Sequence, residues 1–220
     1  MNQFVSSIND ILARLIVLFT AITVHEYAHG YVAYKLGDPT AKYAGRLSLN
    51  PMSHLDPVGA LCMVLCGFGW AKPVPVNPMY FKDRKRDSAL VSLAGPLSNI
   101  ALALVTAVLA AVYFSFVYIK FPANFAAEFG FELLIQLAQL NIGFAVFNLI
   151  PFPPLDGSKI LGAFLSNENY YKFMRYEHFG FPILILMSIT GLLGKILYIF
   201  IEPVWAIWCA LFDKILLIFM

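Results

Sequence analysis

Five apolar stretches, at about 10–34, 88–119, 131–150, 181–201 and 203–219, take up most of this chain. A helix needs roughly 20 such residues to cross the hydrocarbon core of a bilayer, so each stretch is long enough, or nearly so, to span it. The composition agrees. Of 220 residues, 60% are apolar or aromatic and 13% are charged, against roughly 45–50% and 25% in soluble domains. No room is left for a large hydrophilic domain, and a disordered chain, a nucleic-acid-binding arm and a disulfide scaffold are excluded. The three cysteines, Cys62, Cys66 and Cys209, fall in apolar stretches without paired spacing, so they read as small buried hydrophobes. No basic residue precedes the first apolar run within the first ten positions, which argues against a cleaved signal peptide.

The net charge of 15 − 13 = +2 is uninformative, but the placement of the charges is not. A sixth apolar run, Pro57 to Trp70, is too short to span and rich in glycine, which suits a re-entrant segment. Lys35, Lys42 and Arg46 precede it, and Lys72, Lys82, Arg84, Lys85 and Arg86 follow it. Lys159, Lys172 and Arg175 lie after the 131–150 stretch. These three segments hold 11 of the 15 basic residues, which places them on the cytoplasmic side and the N-terminus outside. The expected fold class is an all-α polytopic membrane protein of five to six transmembrane helices, with a small re-entrant/β segment between the first two core helices. Residues 45–51 alternate in a strand pattern, and 72–78 carry prolines that fit only an edge strand or an extended segment. The last two apolar stretches meet at Glu202-Pro203, where a hairpin is expected, giving a C-terminal helical hairpin over about 181–219.

An ionised side chain at mid-bilayer costs at least about 2.5–3.5 kcal/mol on insertion scales. Arg14 lies near the end of its stretch and can snorkel. The other charges inside the first stretch converge on His25, Glu26 and His29, an H-E-x-x-H sequence. Residues i and i+4 share a helix face, so both imidazoles reach one metal ion, and Glu26 falls beside a water there rather than on the metal. Zinc lowers the pKa of such a water to about 7, and a glutamate can take its proton. A chance string is the rival reading, but burying these three groups in a spanning helix argues against coincidence. The third ligand is not a further histidine six residues on, where Lys35 stands, and the next glutamate is Glu128. Asp38, Asp56, Asp83 and Asp87 are expected in solvated loops. Asp156 follows a proline-broken span, at the same end of the membrane as His25 and His29, which lie about 9–15 Å inside theirs. Taken alone, Asp156-Gly157 is a weak signal, and an ordinary solvent turn closing a helix would be the better reading of it.

Together, His25-Glu26-x-x-His29, Ala94-Gly95-Pro96 with Asn99, and Asn148-x-x-Pro151 with Leu155-Asp156-Gly157 resemble the site-2 proteases, in their compact prokaryotic branch without PDZ or CBS modules. The resemblance covers roughly residues 10–165, within a single membrane metalloprotease domain spanning 1–220. It implies one zinc ion held by His25, His29 and Asp156, Glu26 as general base, and Asn148 as a donor to substrate or oxyanion. The family's core of three helices corresponds to 10–34, 88–119 and 131–150. His54 is expected to be a capping or solvated histidine, and Asn99 to bond between helices.

The expected substrates are single-span or other transmembrane proteins in the lipid bilayer, cut near the cytoplasmic leaflet, with no nucleic acid involved. A helical substrate must unwind first, and the extended stretch containing Pro73, Val74, Pro75 and Val76, or else Leu47–Asn50, could then pair with it as an added strand. The alternative is a metal-binding membrane protein without proteolysis, a zinc carrier or silent chaperone. Few ionisable groups elsewhere in the spans, and a glutamate with no use in simple ligation, weigh against it. The sequence carries no signal for an oligomeric state.

Overall fold

The computed structural model describes residues 2–59 and 72–219. Most of the expected re-entrant run, with Cys62 and Cys66, lies outside the described residues. Helix α1, Asn2–Lys35, is free of proline and meets its first glycine at Gly30. It stops at Gly37, whose φ of +102° suits glycine. There the amides of Gly37 and Asp38 turn back onto the carbonyls of Tyr34 and Ala33 at 3.1 and 2.9 Å, closing the helix end in a Schellman motif. A short helix, α2, spans Thr40–Tyr43.

Helix α3, Arg84–Tyr113, is capped by Asp83, whose carboxylate accepts the N–H groups of Lys85 and Arg86 at 3.1 Å. It runs on into a π-helical turn at Phe114–Tyr118. Helix α4, Phe125–Leu149, is capped in the same way by Asn124 and ends where Pro151, Pro153 and Pro154 forbid its continuation. The shorter α5 (Asp156–Phe164), α6 (Asn167–Met174) and α7 (Glu177–Ile189) follow, and then α8, Leu192–Phe219.

Three of the described helices are long and apolar enough to cross a membrane: α3 with its π turn, α4 and α8. α1, at 34 residues, is about 51 Å long and exceeds the bilayer core. The C-terminal region departs from expectation. Pro203 lies inside the 28-residue α8 rather than at a hairpin, and the break falls at Thr190-Gly191, with Gly191 at φ +70°. A proline removes one helical hydrogen bond, which a long apolar helix can absorb, whereas left-handed backbone selects glycine.

The chain forms two compact units, Met1–Ala21 with Asn99–Val146 and Lys195–Met220, and Ile22–Ser98 with Phe147–Gly194. In the first, Ala103, Ala107 and Ala110 of α3 and Ala138 of α4 are buried, small side chains that let helix backbones approach. Ile142 and Trp208 fill the space between, and the Trp208 indole donates to the Ala103 carbonyl at 2.9 Å. Asn99 donates to the Ala21 carbonyl at 3.1 Å and to the Asn141 side-chain oxygen at 2.7 Å, the expected bond between helices.

In the second unit, Phe81 and Val91 pack with Ala33 of α1. The small sheet expected from 45–51 and 72–78 is not formed, as neither segment is a strand. Pro73 and Pro75 have no N–H to give a ladder, and the 72–77 stretch is tied down by individual bonds instead. Lys72 N–H goes to the His54 carbonyl at 3.0 Å, and Asn77 N–H to the Asp38 carboxylate at 2.7 Å. The Arg46 guanidinium takes the carbonyls of both Lys72 and Pro73. Asp38 is therefore fully buried, not solvated, and also accepts from the Thr40 amide and hydroxyl. Asp87 is buried too. His54 is the expected cap rather than a solvated residue, closing the 3-10 turn Pro51–Ser53 with its N–H on the Pro51 carbonyl at 2.9 Å. It is buried, with Nε2 2.8 Å from the Ser48 carbonyl.

Candidate active site

The 3.6-residue period of α1 places His25 and His29 one above the other. Their Nε2 atoms lie 3.0 Å apart, with the rings at right angles. Asp156 arrives from the opposite side as the first residue of α5. Its Oδ2 is 3.2 Å from His25 Nε2 and 3.1 Å from His29 Nε2. The prolines after α4 bend the chain so tightly that at Gly157 a β-carbon would collide with the carbonyl oxygens of Leu149 and Ile150. Behind this turn, Gly180 of α7 lies against the Pro153 carbonyl, again with no space for a side chain.

The donor set can be tested for a metal on its own chemistry. His29 Nδ1 is 2.7 Å from the Val91 carbonyl, which can only accept, so Nδ1 carries the ring proton. In the neutral ring, Nε2 is then a bare lone pair, yet it faces the carboxylate oxygen of Asp156 at 3.1 Å. Two acceptors at that separation need a proton or a metal cation between them. The three edges of 3.0–3.2 Å are close to the roughly 3.3 Å edge of a tetrahedron with zinc bonds of about 2.0 Å. Two imidazoles and a carboxylate are also ligands suited to zinc. These are the described residues whose ligand atoms cluster in this way, all within 4.8 Å. The Nδ1–carbonyl bond is the usual device that fixes a ligating histidine's tautomer and ring direction.

Glu26 stays off the cluster. Its Oε2 accepts the Val74 N–H at 2.8 Å, an arrangement with no signal in the sequence, since the two residues are 48 apart. The cluster opens into a cavity of about 400 Å³, within the range of small-molecule and peptide sites. Asn148, buried at the end of α4, lines it, as do Pro73, Val74 and Val76. The structure thus brings together His25, Glu26, His29, Asn148, Asp156 and most of the expected substrate stretch. Pro75 does not line the cavity and His54 is elsewhere. Lys159 and Tyr170, which sequence reasoning did not single out, line it as well. Lys159 is three residues past Asp156, so the i, i+3 spacing on α5 is the signal that could have found it.

Residues 115–189 match the model of peptidase family M50. A Bacillus subtilis (strain 168) protein named "Putative zinc metalloprotease YwhC" is 40% identical over 84% of this chain and 83% of its own length. The chain belongs to peptidase family M50. This is the site-2 protease family that the motifs resemble, and the M50 chain here is an integral membrane protein. Among other M50 relatives, Rip2 of Mycolicibacterium smegmatis (strain ATCC 700084 / mc(2)155), given the same description, is 28% identical over 80% of this chain and 66% of its own length. "Zinc metalloprotease MJ0392" of Methanocaldococcus jannaschii is 28% identical over 81% of this chain and 42% of its own length. No solved structure matches the chain.

Proposed function

We propose that this M50 chain hydrolyses peptide bonds in or near the transmembrane segments of membrane-protein substrates, with its site toward the cytoplasmic side and its N-terminus outside. The enzyme class follows from the family: the chain is a zinc metalloprotease. The observation that carries the finer reading is the convergence of His25 Nε2, His29 Nε2 and Asp156 Oδ2 beside an unligated Glu26. These three residues would hold one zinc ion, which supplies a Lewis acid to polarise a carbonyl and acidify water.

The chain's own groups do the rest. Glu26 is held by the Val74 amide through Oε2, which leaves Oε1 to take a proton from the attacking water and return it to the departing amine. Asn148, buried at the cavity wall, supplies an amide donor toward the developing oxyanion or the substrate backbone. The cavity's position beside the 73–76 stretch suits a substrate that has unwound and lies extended along it.

Glu26→Gln tests the base. The purified variant should keep one zinc per chain and lose cleavage of single-span peptides in detergent by at least about 100-fold. Undiminished cleavage would sink the assignment. Cysteine labelling of the 82–87 loop from outside intact cells would overturn the sidedness.

A further inference from the structure

Glycine is among the poorest helix formers, and α3 carries one at position 95, deep inside a 30-residue helix. Its neighbours across the gap are the two histidines of α1. A β-carbon at 95 would lie 2.5 Å from Cε1 and from Nε2 of His29, and 2.6 Å from Cε1 of His25. Carbon atoms in contact normally sit about 3.5–4.0 Å apart. One turn earlier on the same helix, the Val91 carbonyl holds His29 Nδ1 at 2.7 Å. The backbone of α3 is thus a wall of the site, bonded to His29 at one point and, at the next, packed so closely against both rings that no side chain fits between.

We infer that Gly95 is a positioning residue of the metal centre, its missing side chain being the space into which both imidazoles are pressed. The inference rests on the reading of His25 and His29 as zinc ligands. An alanine at 95 would force the rings back by about 0.5 Å to reach even 3.0 Å, whereas ligand distances in a zinc site hold to about 0.2 Å. His29 cannot retreat freely, because moving off α3 stretches its bond to Val91.

The test uses the full chain in detergent. Gly95→Ala is compared with Gly143→Ala, a methyl added to α4 where the nearest atom would be Ile201 Cδ1 at an ordinary 3.9 Å. Zinc affinity is read by chelator competition, and ligand geometry by the visible spectrum of the cobalt-substituted protein. Gly95→Ala should weaken zinc binding by about 10- to 100-fold, the range for disturbed support of a ligand, and alter the cobalt bands. Gly143→Ala should do neither. Unchanged zinc affinity and cobalt bands in Gly95→Ala would overturn the inference. If Gly95→Ala fails to fold, the His25→Ala/His29→Ala background decides. With the rings gone, adding Gly95→Ala should leave the unfolding midpoint unchanged or raised, alanine being the better helix former, and a fall would refute the inference. If His25→Ala/His29→Ala itself binds zinc as the wild type does, the ligand assignment fails instead.

Discussion

Replacing Val74 by proline isolates one hydrogen bond without touching a ligand or the base. The Val74 amide is 2.8 Å from Glu26 Oε2, and it is the bond that fixes the carboxylate's direction. Proline deletes that N–H while suiting the extended backbone that Pro75 already imposes on residue 74. A hydrogen bond to a charged group is worth about 1.5–3 kcal/mol. If that energy holds Glu26 in its productive orientation, its loss appears in kcat as a fall of about 10- to 150-fold, at roughly 1.4 kcal/mol per decade. Zinc content should not change. Val74→Ala keeps the amide and serves as the control, losing only the side chain that packs against the site of Gly30. The assay is cleavage of a single-span peptide in detergent, with kcat and KM separated. Wild-type kcat in Val74→Pro would refute the reasoning, as would Val74→Ala falling just as far, since the side chain and not the amide would then be responsible.

Arg46→Met should loosen the 72–77 stretch by removing the guanidinium that holds the Lys72 and Pro73 carbonyls. Faster limited proteolysis there and a fall in kcat smaller than that of Glu26→Gln are expected. Trp208→Phe removes the indole bond to Ala103 while keeping the aromatic packing. It should lower stability by about 0.5–1.5 kcal/mol in detergent unfolding, with zinc content unaffected. Stripping the metal with a chelator should abolish cleavage, and zinc should restore it. In Asp156→Ala restoration should need at least tenfold more zinc, because one of three ligands is gone.

What could be read from the sequence was whatever depended on local periodicity or on charges that lipid makes expensive. His25, Glu26 and His29 stood out because helical spacing aligns them and a spanning helix gives them no other use. Asp156 needed the resemblance. Nothing local distinguishes it from a turn residue, and its approach to the histidines depends on how Pro151 to Pro154 redirect the chain. Bonds between distant residues stayed hidden. The Thr40 half of Asp38's environment is a two-residue turn, whereas Asn77 lies 39 positions away and decides that the carboxylate is buried. The hairpin at Glu202-Pro203 was misplaced because proline is only a probable helix boundary. The sheet fails to form for the opposite reason: the prolines at 73 and 75 favour an extended shape, but their missing donors weigh more.

The 72–77 stretch has a consequence for how copies of the chain tolerate one another. An open backbone edge is ordinarily a template on which a second copy can pair, the route to aggregation. Here Pro73 and Pro75 are silent, and the amides of Lys72, Val74 and Asn77 are spent within the chain, leaving Val76 as the remaining donor. Two such edges facing each other would have only the Val76 N–H of each to exchange, too few bonds to knit. The stretch is therefore a poor match for a second copy of itself, although its backbone is extended.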